Sequence, residues 1–325
     1  MSVSVIISNL NGARFLPRLI ESLQAQEGTP VEIIVVDRES TDDSRAILAR
    51  HPSIKTVSEP PLTGLVSGYH RGVREATHEH LFFVNEDMWF DKSCVAALES
   101  HISLEKRVAA ADPWQWSYDG SRWIHGGTRF RPARWAINGV YPFRHFDFNV
   151  DLPEGAAVPF PCAGAFLIHR RIYEEVGGWD TSMFLDNEDI DLFVRVWQRE
   201  WKCVTVPRAK VYHAVGMSNV QANGAPKMGA WARRYVSSRL GKALIPMKYF
   251  SAANQWMGWG NYFVTFLNNL LKLRFEMFKL DVMVLRDILD RYPKTRAARR
   301  ANQDWNHRFP GERFFLAPEF QIGSL

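Results

Sequence analysis

Apolar positions along the first 90 residues follow two alternating rhythms. Runs such as Val3-Ser4-Val5-Ile6-Ile7, Val31-Glu32-Ile33-Ile34-Val35-Val36 and Leu81-Phe82-Phe83-Val84 predict buried strands, with a shorter one at 54–57. Between them, stripes at helical spacing predict helices: Leu16, Leu19, Ile20 and Leu23 over 13–25, then Leu65, Tyr69, Gly72, Val73 and Ala76. Asn11 is placed to cap the first helix, and Thr41 to cap a short one carrying Asp42 and Asp43. Strands alternating with helices across short linkers predict an open, mostly parallel α/β sheet. Ligands of such sheets bind beyond the carboxyl ends of the strands. Asn9, Asp37 and Asn85-Glu86-Asp87 all fall just past a predicted strand end.

From 112 to 161 the pattern breaks. Trp114, Trp116, Trp123 and Trp135 are interleaved with Gly, Pro and Arg, which predicts long loops or a small antiparallel patch. A strand is expected at 165–168, a helix at 170–176 and a further strand at 203–206. Between the last two lies Phe184-Leu185-Asp186-Asn187-Glu188-Asp189-Ile190-Asp191-Leu192, with four carboxylates in six residues. It opens a segment in which Ile190, Phe193, Val194, Trp197 and Trp201 recur at helical spacing. Acidic residues in a first turn favour the helix dipole, which accounts for Glu188 and Asp191. The isolated His213 downstream is less well explained that way. Together with residues 85–87, the cluster and the histidine could build a metal and general-base site. Residues 189 and 191 stand about 200° apart on a helix, so both cannot face one site; Asp189 is the candidate base and Asp191 the structural residue.

With 325 residues, 46% of them hydrophobic, the chain can bury a large core, as one domain with an appendage or as two. Cys94, Cys162 and Cys203 are sparse and form no CxxC pair, which argues against a disulfide framework and fits a reducing cytoplasm. The N-terminus reads as a strand rather than a signal peptide, and no run of about 18 apolar residues predicts a spanning helix. Charge is uneven: residues 1–220 hold 23 Lys/Arg against 28 Asp/Glu, and residues 221–325 hold 17 against 7, a net +10. Beyond about 225 the pattern changes to long helices. Trp256, Trp259, Phe263, Phe266, Leu267, Leu270 and Met277 keep helical spacing, followed by Arg286, Arg291, Lys294, Arg296, Arg299 and Arg300. This basic, amphipathic third fits peripheral contact with the inner face of a membrane through 255–300, or a helical pair packed on the catalytic body or in a homodimer. Membrane lipid fits better than nucleic acid, and no nucleic-acid partner is expected.

Several fragments then carry a resemblance in their order and spacing. They are Val3-Ser4-Val5-Ile6-Ile7-Ser8-Asn9-Leu10-Asn11, Ile33-Ile34-Val35-Val36-Asp37 with Ser40-Thr41-Asp42, Asn85-Glu86-Asp87, Ala163-Gly164-Ala165-Phe166-Leu167-Ile168, Gly177-Gly178-Trp179-Asp180, Glu188-Asp189-Ile190-Asp191-Leu192 and His213-Ala214-Val215-Gly216-Met217-Ser218. Over about 2–220 the chain resembles the family 2 inverting glycosyltransferases of GT-A fold, especially their rhamnosyltransferase-like branch. It departs from them at Ser8, where Pro is usual, and at Arg38 and Glu39, where Asp and Gly are usual.

The resemblance implies a GT-A catalytic domain over 1–222, a helical region over 223–325, and transfer of a sugar from a dTDP- or UDP-sugar to a glycan or lipid-linked glycan. L-rhamnose is the expected sugar, in cell-surface polysaccharide assembly. The departing diphosphate develops negative charge that a divalent cation, Mg²⁺ or Mn²⁺, stabilises. The resemblance makes Asp87 and His213 the metal ligands and Asp189 the base that takes the proton of the acceptor hydroxyl. Ser8, Asn9, Asn11, Asp37, Asn85, Glu86, Trp179 and Glu188 are the expected substrate contacts. Asn11 reads equally as a helix cap and Asp37 as a local one. His70 stands where the family usually has Asn. A sugar-nucleotide nucleotidyltransferase, or a non-catalytic glycan-binding relic of the same fold, are the alternative readings; Asn9-Leu10-Asn11-Gly12-Ala13-Arg14 is a poor phosphate loop for the former.

Overall fold

The computed structural model describes residues 2–60, 64–130, 146–161, 164–181, 183, 187–215 and 230–322. The strands are β1 Val3–Asn9, β2 Val31–Asp37, β3 Lys55–Ser58, β4 His80–Asn85, β5 Met88–Phe90, β6 Val108–Ser117, β7 Trp123–His125, β8 Arg129–Phe130, β9 Phe146–Asp147, β10 Ala157–Val158, β11 Ala165–His169 and β12 Lys202–His213. The helices are α1 Leu16–Gln24, α2 Ser44–Leu48, α3 Gly64–Glu75, α4 Cys94–Glu99, α5 Arg170–Glu175, α6 Glu188–Gln198, α7 Ala230–Tyr249, α8 Met257–Leu271, α9 Phe275–Ala301, α10 Gln303–Arg308 and α11 Gly311–Leu316.

The main sheet runs β10-β12-β6-β11-β4-β1-β2-β3, with β5 on β12 and β7 on β6. Strands β3, β2, β1 and β4 form a parallel block, as the alternation of apolar runs and helical stripes requires. Strand β11 enters antiparallel between β4 and β6, and β6 and β12 are parallel to each other. Every residue of β1 is buried, because both faces of the block are covered. Alternation sorts its side chains: Ile6 and Phe83 face the side of α3 and α6, while Val5, Ile7, Phe82 and Val84 face α1 and α4. The α/β core with a helical C-terminal region is therefore as the sequence predicts.

Three local features differ. The Trp-rich stretch does hold antiparallel pairs, β7 on β6 and β9 on β8, among loops, but β6 itself is a ten-residue strand next to the middle of the sheet. Helix α1 begins at Leu16 rather than 13, and Asn11 does not cap it. Asn11 adopts a left-handed φ of 56°, and its Oδ1 accepts from Thr41 N at 2.8 Å. Thr41 caps no helix either; Asp42 Oδ1 accepts from Ser44 N at 3.0 Å at the start of α2.

The C-terminal helices do not stand apart from this body. Ile245, Tyr249 and Phe250 at the end of α7, with Phe314, Phe315 and Phe320, pack in the same core as Phe166, Ile190 and Phe193. The other end of α7 (Val236, Leu240, Leu244) packs on Tyr262, Val284 and Ile288 of α8 and α9. Among the described residues no helix is long and apolar enough to cross a membrane.

Candidate active site

The site forms where β4 ends. Asn85 closes the strand, Glu86 and Asp87 make the turn, and β5 pairs antiparallel with the last residues of β12, setting Met88 opposite His213. That register brings His213 Nε2 to 3.2 Å from Asp87 Oδ1. On the other side of the ring, Nδ1 lies 2.9 Å from Gln115 Oε1 on β6. Gln115 thus fixes one edge of the ring and the other edge faces the Asp87 carboxylate, so a cation could take Nε2 and Oδ1 together as ligands.

Two ligands of one octahedral Mg²⁺ stand about 3 Å apart, given bonds of about 2.1 Å, so the observed separation fits. Oxygen plus imidazole suits Mn²⁺ as well. No third His, Cys, Asp or Glu converges on this pair among the described residues. A cation here would take its remaining ligands from phosphate oxygens and water, the usual arrangement for Mg²⁺ on a substrate phosphate.

Beside the pair lies a narrow crevice of about 10 Å³, room for a single water, lined by Leu65, Tyr69, Phe83, Phe166, Trp179 and Glu188 around Gly164. Gly164 joins the two halves of the site. A Cβ there would lie 2.2 Å from Met88 Cε and 3.3 Å from His213 Cε1, so a larger residue would push on the histidine. The Tyr69 hydroxyl donates to Asn85 Oδ1 at 2.7 Å, and its ring stacks on Trp179 at 5.8 Å. Trp179 and Glu188, two of the expected substrate contacts, line this crevice and are nearly buried.

Glu188 and Asp189 start α6, and Asn187 before them holds a left-handed φ of 68°. Asn187 Nδ2 donates to Ser238 O of α7 at 3.3 Å, and a Cβ on Gly241 would lie 2.8 Å from Asn187 Cβ. The helix start is thus seated directly on α7. Asp189 Oδ1 accepts from Ile190 N at 2.7 Å. Asp191 points into the protein, fully buried, with Arg195 Nη2 at 2.6 Å and Lys248 Nζ and the Tyr249 hydroxyl each at 2.9 Å. Lys248 also pairs with Asp180. Burial opposes the lysine charge, but the Asp191 and Asp180 carboxylates outweigh it and hold the proton above the usual lysine range.

The strand-end residues of the first half are placed differently from expectation. Ser8 and Asn9 are fully buried rather than on an open rim, with Ser8 Oγ covered by the Gly68 turn of α3. Asp37 is committed internally: it accepts from Asn9 Nδ2 at 2.9 Å, Ser40 Oγ at 2.5 Å and Arg45 Nε at 2.9 Å. Burial raises its pKa, yet these bonds win and hold the carboxyl below the usual range. Asn11, as above, ties to Thr41. Burial, with the Asp87 charge adding to it, pushes the Glu86 carboxyl up to about 7.

Gln115 escaped sequence reasoning, and Tyr69, Gly164 and Arg38, read there as a helix face, a family-like fragment and a departure, were not named as site residues. Arg38 is buried, lacks a hydrogen-bond partner for Nε, and lies within the field of Glu86, Tyr69 and Asp37. His70 contacts Arg74 Nη2 at 3.3 Å. Residues 162–163, 184–186 and 216–218, which carry part of the family-like fragments, lie outside the described residues, as does Trp135.

The chain is similar to several known proteins. Protein N-acetylglucosaminyl-diphospho-decaprenol L-rhamnosyltransferase of Mycobacterium tuberculosis is 24% identical over 221 residues, 61% of this chain and 71% of that protein. An uncharacterized glycosyltransferase of Bacillus subtilis, YwdF, is 23% identical over 256 residues, 77% and 88% of the two chains. The structure is similar to GalNAc-T7 with UDP, GalNAc and Mn²⁺ (TM-score 0.59, 16% identity, covering 87% of this chain and 54% of that one). It is also similar to residues 1–349 of S. aureus TarS with UDP (TM-score 0.54, 14%, 78% and 68%). At these identities the structural likeness speaks to fold alone, and the fold is that of GT-A glycosyltransferases. The family model for Glycosyl transferase family 2 matches residues 4–177, more than half of the chain. The chain belongs to glycosyl transferase family 2.

Proposed function

We propose that the protein is an inverting glycosyltransferase that moves a sugar, best matched by L-rhamnose from dTDP-rhamnose, to a hydroxyl of a lipid-linked glycan in cell-envelope polysaccharide assembly. The reading places it on the inner face of the membrane, with residues 1–222 as the catalytic unit and 223–325 as a supporting helical one. The observation that carries it is the convergence of Asp87 Oδ1 and His213 Nε2 at 3.2 Å, at the carboxyl edge of the sheet.

Asp87 and His213 would hold Mg²⁺ or Mn²⁺, which when bound offsets the charge that develops on the departing diphosphate. Gln115 keeps the His213 ring turned for that task. Tyr69, Trp179 and Glu188 line a narrow, largely apolar crevice beside it, and Glu188 would orient a hydroxyl at its mouth. Asn85 and Glu86 would border the donor, while Ser8, Asn9, Asn11 and Asp37 support its nucleotide end from beneath. Asp189 would take the acceptor proton as the new glycosidic bond forms and the bond to phosphate breaks. Asp191 is excluded from that role by its ties to Arg195, Lys248 and Tyr249.

The names of relatives support the acceptor class and the sugar: the mycobacterial relative is named as a rhamnosyltransferase acting on a decaprenyl diphosphate glycan. Two of the similar structures hold Mn²⁺, one of them with GDP-Man. The test is Asp189→Asn. Transfer should fall by about 10²–10⁴, as for loss of a general base, while nucleotide-sugar binding persists. Normal transfer by that variant would refute the assignment, and retention of anomeric configuration in the product would refute inversion.

A further inference from the structure

Of the sixteen exposed large apolar side chains among the described residues, twelve fall between 256 and 292, on α8, α9 and their connection. They do not expose themselves through loose attachment. The inner side of this hairpin is fixed by Asp281, which accepts from the Tyr235 hydroxyl at 2.9 Å and from Asn269 Nδ2 at 2.8 Å, over a buried layer of Tyr262, Val284 and Ile288. The outer side is therefore held outward by a rigid frame.

The hairpin tip is the most exposed part. Leu271, Leu273 and Phe275 are 73%, 69% and 65% exposed, and they alternate with the exposed cations Lys272 and Arg274. Leu273 holds a left-handed φ of 51°, unfavourable for a bulky L residue. The turn is nevertheless closed by Leu273 N to Leu270 O at 3.0 Å and Arg274 N to Asn269 O at 2.9 Å. The charge leading up to it is of one sign, and the first acid beyond it, Glu276, pairs with Lys279. No Asp or Glu occurs from 201 to 275, a stretch that holds 11 Lys/Arg.

We infer that this tip is a wedge that inserts into an anionic phospholipid leaflet. Leu271, Leu273 and Phe275 enter the acyl boundary, and Lys272 and Arg274 stay at the phosphate level, as cations with apolar stems do. The inference deepens the membrane part of the proposed function by naming the element and its lipid chemistry. A second copy of the chain fits the tip poorly. A two-fold contact would set Lys272 and Arg274 against their own copies, and the nearest acid, Glu276, already pairs with Lys279 at 2.7 Å.

The experiment is co-sedimentation of the full chain with vesicles of phosphatidylglycerol and phosphatidylcholine, or phosphatidylcholine alone. It compares wild type, the triple variant Leu271→Ser/Leu273→Ser/Phe275→Ser, and the double variant Lys272→Glu/Arg274→Glu. Wild type should pellet with anionic vesicles. Each variant should lose about tenfold or more in partitioning, because two interfacial charges or three buried apolar side chains exceed one decade of affinity. These residues are exposed, so thermal shifts with nucleotide-sugars should be unchanged. The wedge is overturned if wild type stays in the supernatant, or if the serine variant pellets as wild type does. It is also overturned if light scattering shows a dimer that the serine variant dissolves. Vesicle binding without any nucleotide-sugar binding would leave the wedge standing and remove the proposed function instead.

Discussion

Lys248, from the last third of the chain, places its ammonium 2.9 Å from Asp191 Oδ1, two residues past the proposed base. Both groups are buried, and Asp191 also holds Arg195 at 2.6 Å on the next turn of α6. The cations thus fix the helix that presents Glu188 and Asp189, and α7 is an integral part of the site's foundation.

Lys248→Met should destabilise the protein by about 1.5–3 kcal/mol, the cost of losing a buried hydrogen bond between charged groups while Asp191 keeps Arg195 and Tyr249. Chemical denaturation checks it. Because Asp180 and Asp191 raise the lysine pKa above its unfolded value, its contribution is present below that value and lost as pH rises through the folded one. The gap between wild type and variant should therefore shrink only in strong alkali.

Asp37 works in the opposite direction. Its folded pKa lies below the unfolded value of about 3.9, so its contribution is present above that pH and lost as pH falls through the folded value. Asp37→Asn should melt at lower temperature than wild type at pH 7, with the two curves converging below about pH 4. A melting difference that stays constant down to pH 2 would contradict the internal role described for this carboxylate.

Gln115→Leu should weaken Mn²⁺ affinity in the presence of donor nucleotide by about 10–100-fold, the range seen when the partner that orients a metal-ligating histidine is removed. Calorimetric titration of Mn²⁺ reads it. Unchanged affinity would mean that His213 needs no such support.

Much of this was legible in the sequence where one local rule dominates. Strands β1, β2 and β4 announce themselves because their central positions are buried on both faces and nearly all apolar or small. Residues past their ends then mark the site edge. Strand β6 was missed because Asp112, Pro113 and Gln115 interrupt the apolar run between tryptophans. Asp112, fully buried in it, faces His125 at 3.1 Å. Gln115 was lost with the strand. The Asp191–Arg195 spacing of four residues was a readable ion-pair signal. Lys248 was not readable, since a lysine in a basic helical stretch looks solvated until the fold brings it to Asp180 and Asp191. The short start of α1 follows from Asn11 and Ala13, whose backbones bond to Ser40 Oγ and Asp42 Oδ2 at 2.9 Å each instead of joining the helix.

The most direct test of the account is a thermal-shift titration of wild type and Asp87→Ala with dTDP-, UDP- and GDP-sugars, each with and without Mn²⁺. The account predicts that one nucleotide-sugar stabilises the wild type only when Mn²⁺ is present, and that Asp87→Ala, folded and equally stable alone, shows no metal-dependent shift. Stabilisation of Asp87→Ala equal to that of wild type, or no response of the wild type to any nucleotide-sugar with Mn²⁺, would contradict it.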